Sequence, residues 1–278
     1  MTNLPEDARH IAFYLPSLRG GGAERVMVTV ANGVAARGHR VDLVLAKAEG
    51  PYLAEVSANV RVIDLKSHRV LASLPRLIAY LRRERPQSML SALSHANIVA
   101  IVARVLSNVK CRLVVSEHSA PSRALVGPGM PSVMAGLIRA TYPRADTVVC
   151  VSEGMKQEMR NLLPGPEHNL VAIYNPLDLD RIRRMAQQPV THDWPTGING
   201  PIIVAAGRLT KAKDYPNLLR AFALLSATHP ARLMILGQGE LHQPLKALAQ
   251  DLGIANRVAF MGFQENPFAW MRAADLYV

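Results

Sequence analysis

Short apolar runs rich in β-branched residues alternate along this chain with amphipathic stretches. Strands are predicted at HIAFYL, VDLVLA, VRVID, CRLVVS, DTVVCVS and NLVAIY, then at PIIVAAG, ARLMILG, RVAFMG and DLYV. Continuous apolar runs of this length suit parallel strands buried on both faces. Helical periodicity fills the gaps. Val26, Val30 and Val34 follow the triplet Gly20–Gly21–Gly22 at four-residue spacing, and Gly38 stands where a C-terminal cap belongs. Leu218, Phe222 and Leu225 mark a second helix opened by Pro216, and Leu241, Leu245, Leu248 and Leu252 a third closed by Gly253. Strand–helix alternation of this kind predicts doubly wound α/β domains.

The pattern weakens between Pro176 and Pro201, where AQQPVTHDWPTGINGP has the Pro, Gly and polar content of a linker. The expected organisation is an N-terminal Rossmann-like domain over residues 1–178, a linker over 179–200 and a second α/β domain over 201–278. That second domain falls short of the roughly 100–150 residues of an ordinary domain, and the chain stops inside the apolar run DLYV. It is therefore expected to be incomplete.

Composition narrows the functional classes. The chain has 278 residues, 49% hydrophobic and 5% aromatic, with 32 Lys and Arg against 21 Asp and Glu. The net charge of +11 favours a polyanionic partner: nucleic acid, an anionic membrane face or a phosphorylated substrate. No helix-turn-helix, RNP or zinc pattern is present, and sparse aromatics leave little surface for stacking bases, so nucleic acid is not expected. Cys111 and Cys150 lie in or beside apolar runs and read as buried free thiols. The histidines show no metal-ligand spacing, so neither a metal nor a cofactor is expected. The polar N-terminus lacks a signal-peptide core, and apolar stretches such as IVAIVA are far short of a bilayer span. The expected location is cytoplasmic, or peripheral on the inner face of the cytoplasmic membrane.

Candidate chemistry gathers where strands end. In YLPSLRGGGAERV, Gly21 and Gly22 stand between the first strand and its helix. Glycines there let a backbone approach phosphate at a helix start, although a plain tight turn is an equal reading. It is not a dinucleotide fingerprint: counted from Gly20, the third required glycine is replaced by Arg25. PIIVAAGRLTKAKDYP puts Arg208 and Lys213 just past a strand, at the edge where open α/β sheets bind ligands. Two cations there can hold a diphosphate, Arg by its fork and Lys as a point charge. The next strand ends in Gly237–Gln238–Gly239, a second turn able to face phosphate or base. His118, in VVSEHSAPS, sits at another strand end, as either a structural hydrogen-bonder or a substrate contact.

These elements, in this order, resemble the family 4 (group 1) glycosyltransferases. The resemblance rests on G-R-L-x-x-x-K, then L-G-x-G, F-x-G-F and A-A-D in the second half. The early GGAE turn, C-V-S-E-G-M-K and Y-N-P-L-D are similar to that family in the first half. The resemblance implies a GT-B fold of two Rossmann-like doubly wound parallel-sheet domains facing a cleft. It implies a glycosyltransferase, retaining and usually metal-free, that moves a sugar from a nucleotide-diphosphate sugar to a glycan or lipid-linked acceptor. Under it Arg208 and Lys213 contact the donor diphosphate, Gly21 and Gly22 face the same phosphates or an acceptor phosphate, and His118 lies close to the transferred sugar. The family's acidic pair, spaced Glu-x7-Glu, should follow DLYV and is absent from the sequence.

Two rival functions are a nucleotide-sugar epimerase of the same fold and a basic, non-catalytic nucleic-acid-binding protein. One more segment, HRVLASLPRLIAYLRRERPQ, carries leucines at 71, 74, 77 and 81 among Arg69, Arg76, Arg82, Arg83 and Arg85. It reads as a surface helix whose leucines face the sheet, or as an amphipathic helix on an anionic membrane surface.

Overall fold

The computed structural model describes residues 8–119, 130–163, 169–190 and 200–278, and the chain divides into two units, Met1–Pro176 and Leu177–Val278. In the first unit seven strands form a sheet: β1 (His10–Leu15), β2 (Arg40–Leu45), β3 (Val60–Asp64), β4 (Ser88–Ala92), β5 (Arg112–Glu117), β6 (Thr147–Cys150) and β7 (Leu170–Ala172). Their order is β3-β2-β1-β4-β5-β6-β7, and all pairings are parallel. The helices are α1 (Gly22–Ala36), α2 (Leu74–Glu84), α3 (Ser94–Ser107), α4 (Met130–Thr141) and α5 (Glu153–Leu162). Lateral progress of the chain reverses between β1 and β4. An open parallel sheet leaves a ligand crevice at the carboxyl ends of its strands at such a point.

The period-two alternation of β1 sorts the core. Phe13 and Leu15 pack with Met27, Val28, Ala31 and Ala35 of α1. Ala12 and Tyr14 point to the opposite face, under α2, α3, α4 and α5. Helix α1 turns a slightly different face inward than the valine spacing predicts. Met27, Val28, Ala31 and Ala35 are buried, while Val26, Val30 and Val34 are half-buried. Those valines border an apolar trough of about 340 Å³ whose floor includes Leu90, Val114 and Val149.

Strand β4, SMLSA, and helix α3 have no counterpart in the sequence reading. The strand lies at the sheet's centre, yet only Met89 and Leu90 are large and apolar. Ser91 and Ala92 are fully buried as small residues, so neither alternation nor an apolar run announces it. The leucine segment resolves in favour of packing. Leu77 and Leu81 of α2 are buried, Leu74 packs against the core, and Leu71 alone of the four is exposed. Arg82 donates to the carbonyls of Leu106 and Ser107 at the end of α3. Cys111 and Cys150 are buried free thiols.

The second unit has four parallel strands, β8 (Ile202–Ala206), β9 (Arg232–Leu236), β10 (Val258–Gly262) and β11 (Leu276–Tyr277), in the order β10-β9-β8-β11. Its helices are α6 (Leu179–Ala186), α7 (Tyr215–Thr228), α8 (His242–Asp251) and α9 (Pro267–Ala273). The stretch expected as a linker therefore opens with a helix. Its sequence, LDRIRRMA, buries no residue fully, which is why it lacks a core signature. The Asp178 side chain accepts from the Arg181 N–H as its N-cap, and Asn266, the N-cap of α9, donates to the Met185 carbonyl. Residues 191–199 of that stretch lie outside the described residues.

Candidate functional site

In the first unit the glycine turn stands at the carboxyl end of β1. Gly20 has φ +106, a left-handed conformation that favours glycine. Gly21 caps α1 and Gly22 begins it. A Cβ on Gly22 would meet nothing within 4 Å, whereas one on Gly21 would run into the Glu24 carboxylate. The turn is thus open at Gly22, while the Glu24 carboxylate lies against Gly21.

His118 follows β5 and is half-buried. Its Nε2 lies 3.1 Å from Ser116 Oγ, and burial lowers its pKa from the ordinary value, which favours the neutral ring. It borders the apolar trough on one side and a smaller concavity beside Ser94 and Glu117 on the other. Behind it Glu117 is 1% exposed. The Glu117 carboxyl accepts from Ser94 Oγ at 2.9 Å, from Asn97 Nδ2 at 3.0 Å and from the Tyr142 hydroxyl. Desolvation pushes the carboxyl up, and those three donors offset it only in part.

A second buried acid has a different role. Asp42 is fully buried in β2. It accepts from Arg61 through two parallel bonds of 2.8 and 2.6 Å, from Tyr80 at 2.7 Å, and pairs with His10 Nε2 at 2.8 Å. Burial alone would raise this carboxyl, but the bonds from His10, Arg61 and Tyr80 outweigh it and hold it far below the usual range. Arg61 continues to Glu84, which also receives Arg40. The network ties β1, β2, β3 and α2 together on one side of the sheet, with every Asp42 contact made to its own structure.

In the second unit Arg208 and Lys213 stand past the carboxyl end of β8, and both are exposed. No salt bridge engages either among the described residues. Lys213 ends a short 3-10 turn, Lys211–Lys213, and its aliphatic stem lies over Gly207, near enough that a Cβ there would be 3.2 Å from Cε. The turn is held by Tyr215, 4% exposed, whose hydroxyl donates to the Gly207 carbonyl at 3.2 Å.

Gly237 and Gly239 are constrained by backbone. Gly237 has φ +139, and a Cβ on it would overlap the carbonyl oxygen of Gly207; one on Gly239 would overlap that of Leu209. The Leu209 N–H donates to the Gln238 carbonyl at 2.9 Å, and the Leu241 N–H to the Leu209 carbonyl at 3.0 Å. The two turns are thus laced together, and the glycines make room for one another's main chain. The structure brings Arg208, Lys213, Gly237 and Gly239 to one edge of one unit, and Gly21, Gly22 and His118 to the corresponding edge of the other.

Two parallel α/β units in tandem, each with candidate polar residues at the carboxyl edge of its sheet, define a protein of the doubly wound α/β class. Models of two families match the chain: Glycosyltransferase Family 4 over residues 20–181 and Glycosyl transferases group 1 over residues 192–278. The first model spans more than half of the chain, which belongs to Glycosyltransferase Family 4.

Among its relatives is the N-acetylgalactosamine-N,N'-diacetylbacillosaminyl-diphospho-undecaprenol 4-alpha-N-acetylgalactosaminyltransferase of Campylobacter jejuni. It is 30% identical over 187 residues, covering 66% of this chain and 48% of the relative. The lipopolysaccharide core biosynthesis glycosyltransferase LpsE of Rhizobium meliloti is 25% identical over 267 residues, covering 94% of this chain and 69% of LpsE. The chain thus spans about half of the first relative's length. The structure of Anabaena HepE, solved with UDP and glucose, matches with a TM-score of 0.74 at 21% identity, over 97% of this chain and 73% of HepE. That likeness shows the fold, which is GT-B.

Proposed function

We propose that this chain carries the substrate-handling units of an enzyme that transfers a sugar from a nucleotide-diphosphate sugar to a glycan or lipid-linked acceptor. The setting is synthesis of cell-surface polysaccharide or glycoconjugate, with retention of the anomeric configuration. The carrying observation is the pair of exposed cations, Arg208 and Lys213, at the carboxyl edge of β8 without an acidic partner among the described residues. Departure of a nucleoside diphosphate builds negative charge, and preorganised cations stabilise it most where they need not reorganise. The laced glycine turns hold the backbone beneath Arg208 and Lys213 still. On the first unit, His118 and the glycine turn at Gly21 and Gly22, open at Gly22, face the sugar and its phosphates.

The nature of the acceptor draws support from the relatives' names: a diphospho-undecaprenol-linked glycan for the Campylobacter enzyme, and lipopolysaccharide core for LpsE. Among the described residues no helix is long and apolar enough to cross a membrane. A lipid-linked acceptor would therefore be met at a membrane surface. With Leu77 and Leu81 buried, attraction there would come from Arg69, Arg83 and Arg85 rather than from an inserted leucine face. It should show as salt-sensitive sedimentation with anionic liposomes and none with neutral ones.

The test of the reaction is release of nucleoside diphosphate by the intact enzyme from a panel of nucleotide sugars, with and without lipid-linked acceptors. Acceptor-dependent release supports the reading. Conversion of the donor sugar to its epimer without any acceptor would replace it.

A further inference from the structure

The first unit has a concavity of about 300 Å³, whose lining includes Leu93, Ser94, His95, Glu117, His118 and Met134. It lies at the carboxyl ends of β4 and β5, neighbours whose register aligns Ala92 with Ser116. β4 is also the strand where the sheet order reverses, so His95 stands nearer the switch point than His118 does. The chain leaves β4 through Leu93 at φ +78. A non-glycine residue in that region is strained and persists only where its surroundings hold it. Here the Leu93 N–H donates to the Ser116 carbonyl at 3.3 Å, and its own carbonyl accepts from the Asn97 N–H at 2.9 Å.

That turn lays the start of α3 over Glu117. Ser94 and Asn97, on either side of His95, both donate to the buried carboxyl, and Tyr142 donates from below. The first turn of α3 is thereby tied to β5, and His95 is left exposed at the mouth of the concavity. Among the described residues nothing bonds its ring, which leaves both imidazole nitrogens available to a ligand in the concavity. A neutral imidazole offers one donor and one acceptor, which suits a pair of sugar hydroxyls. Leu93 and Met134 supply apolar wall for the C–H face of a pyranose ring.

We propose that His95 contacts the acceptor sugar, in the concavity whose other imidazole, His118, faces the transferred sugar, and that Glu117 positions His95 through Ser94 and Asn97. The assignment rests on the glycosyltransferase reading above and names the residues of its acceptor side. His95→Ala in the intact enzyme should raise the acceptor KM about tenfold or more, the weight of one or two lost hydrogen bonds. The donor KM should stay within about twofold, and His95→Gln, which keeps a donor and an acceptor, should recover part of the loss. Glu117→Gln, close in shape, should raise the acceptor KM by less.

A second measurement does not depend on turnover. The imidazole C–H resonances of His95 and His118 are followed by NMR while methyl glycosides of glucose, galactose and N-acetylgalactosamine are added. Both should move, and His95→Ala should weaken the response of His118. An unchanged acceptor KM in His95→Ala, or a rise in the donor KM instead, overturns the assignment. Resonances that do not move while the wild-type enzyme turns over would overturn it too, leaving the reaction standing. Resonances that move in a protein that transfers no sugar would sink the reaction and support the sugar site.

Discussion

The two glycine-rich turns look alike as sequence and differ as physics. At Gly237 and Gly239 the missing Cβ makes room for another stretch of backbone, since a side-chain carbon at either position would overlap a carbonyl oxygen of the turn after β8. At Gly22 the missing Cβ faces open space. One turn is built to be rigid, and it carries Arg208 and Lys213 on the stretch it locks in place. The other is built to leave room. A glycine cluster at a strand end therefore specifies close approach without saying what approaches.

The largest test of this contrast is Gly237→Ala or Gly239→Ala. Forcing a methyl into backbone, together with a left-handed φ at Gly237, should cost about 3–5 kcal/mol. Hydrogen exchange should show faster opening of β8 and β9, with β1 to β6 unaffected. Local protection that survives in both variants would remove the lacing.

Next comes the charge that the rigid turn carries. Arg208→Ala or Lys213→Ala should lower turnover of the intact enzyme by about 10²–10³ without moving its melting temperature, since neither side chain is buried. Full activity in either variant would withdraw its assignment to the diphosphate.

The two buried acids extend the comparison from turns to carboxylates. Asp42 sits in a closed network with His10, Arg61 and Tyr80, and Asp42→Ala should cost about 3 kcal/mol by stranding buried partners. Because its folded pKa is depressed, its contribution is fully present above the unfolded value of roughly 3.9. That contribution is lost as pH falls through the folded value. Glu117 has the opposite sign: its pKa is raised, so its contribution is present below roughly 4.3 and is lost as pH rises through the folded value. Urea titrations against pH should thus show Asp42→Ala flattening the acid limb of stability, and Glu117→Gln removing a loss at higher pH. The wild-type slope persisting in both would contradict these shifts.

Most of the sheet was legible because parallel strands buried on both faces announce themselves as β-branched runs. β4 was not, because Met89 and Leu90 are its only large apolar residues, set among the small Ser88, Ser91 and Ala92. Missing it hid His95, which reads as one more isolated histidine until the strand before it is placed. Arg208 and Lys213 were legible because a long apolar run, PIIVAAG, marks where their strand ends. Gly237 and Gly239 were legible as a turn at a strand end, but their packing against the turn after β8 was not, since sequence cannot show that two turns touch. Helix α6 escaped because a short, arginine-rich helix that buries no residue fully carries no core signature.

The smallest effect expected is also the most discriminating. Gly22→Ala adds a methyl where no atom lies within 4 Å, at the first residue of α1. Alanine is the better helix former, and it also narrows the unfolded ensemble, so stability should rise by about 0.4–1 kcal/mol. If the turn serves only to start the helix, activity should be unchanged or follow the gain in stability. If it exists so that a substrate phosphate can approach the backbone, the same methyl should obstruct that approach and raise KM for the phosphate-bearing substrate. Stability and activity would then move in opposite directions in one variant, which a general folding defect cannot produce. Thermal melts paired with steady-state kinetics decide the matter, and a stabilised variant with wild-type KM for donor and acceptor would reduce Gly21 and Gly22 to a tight turn.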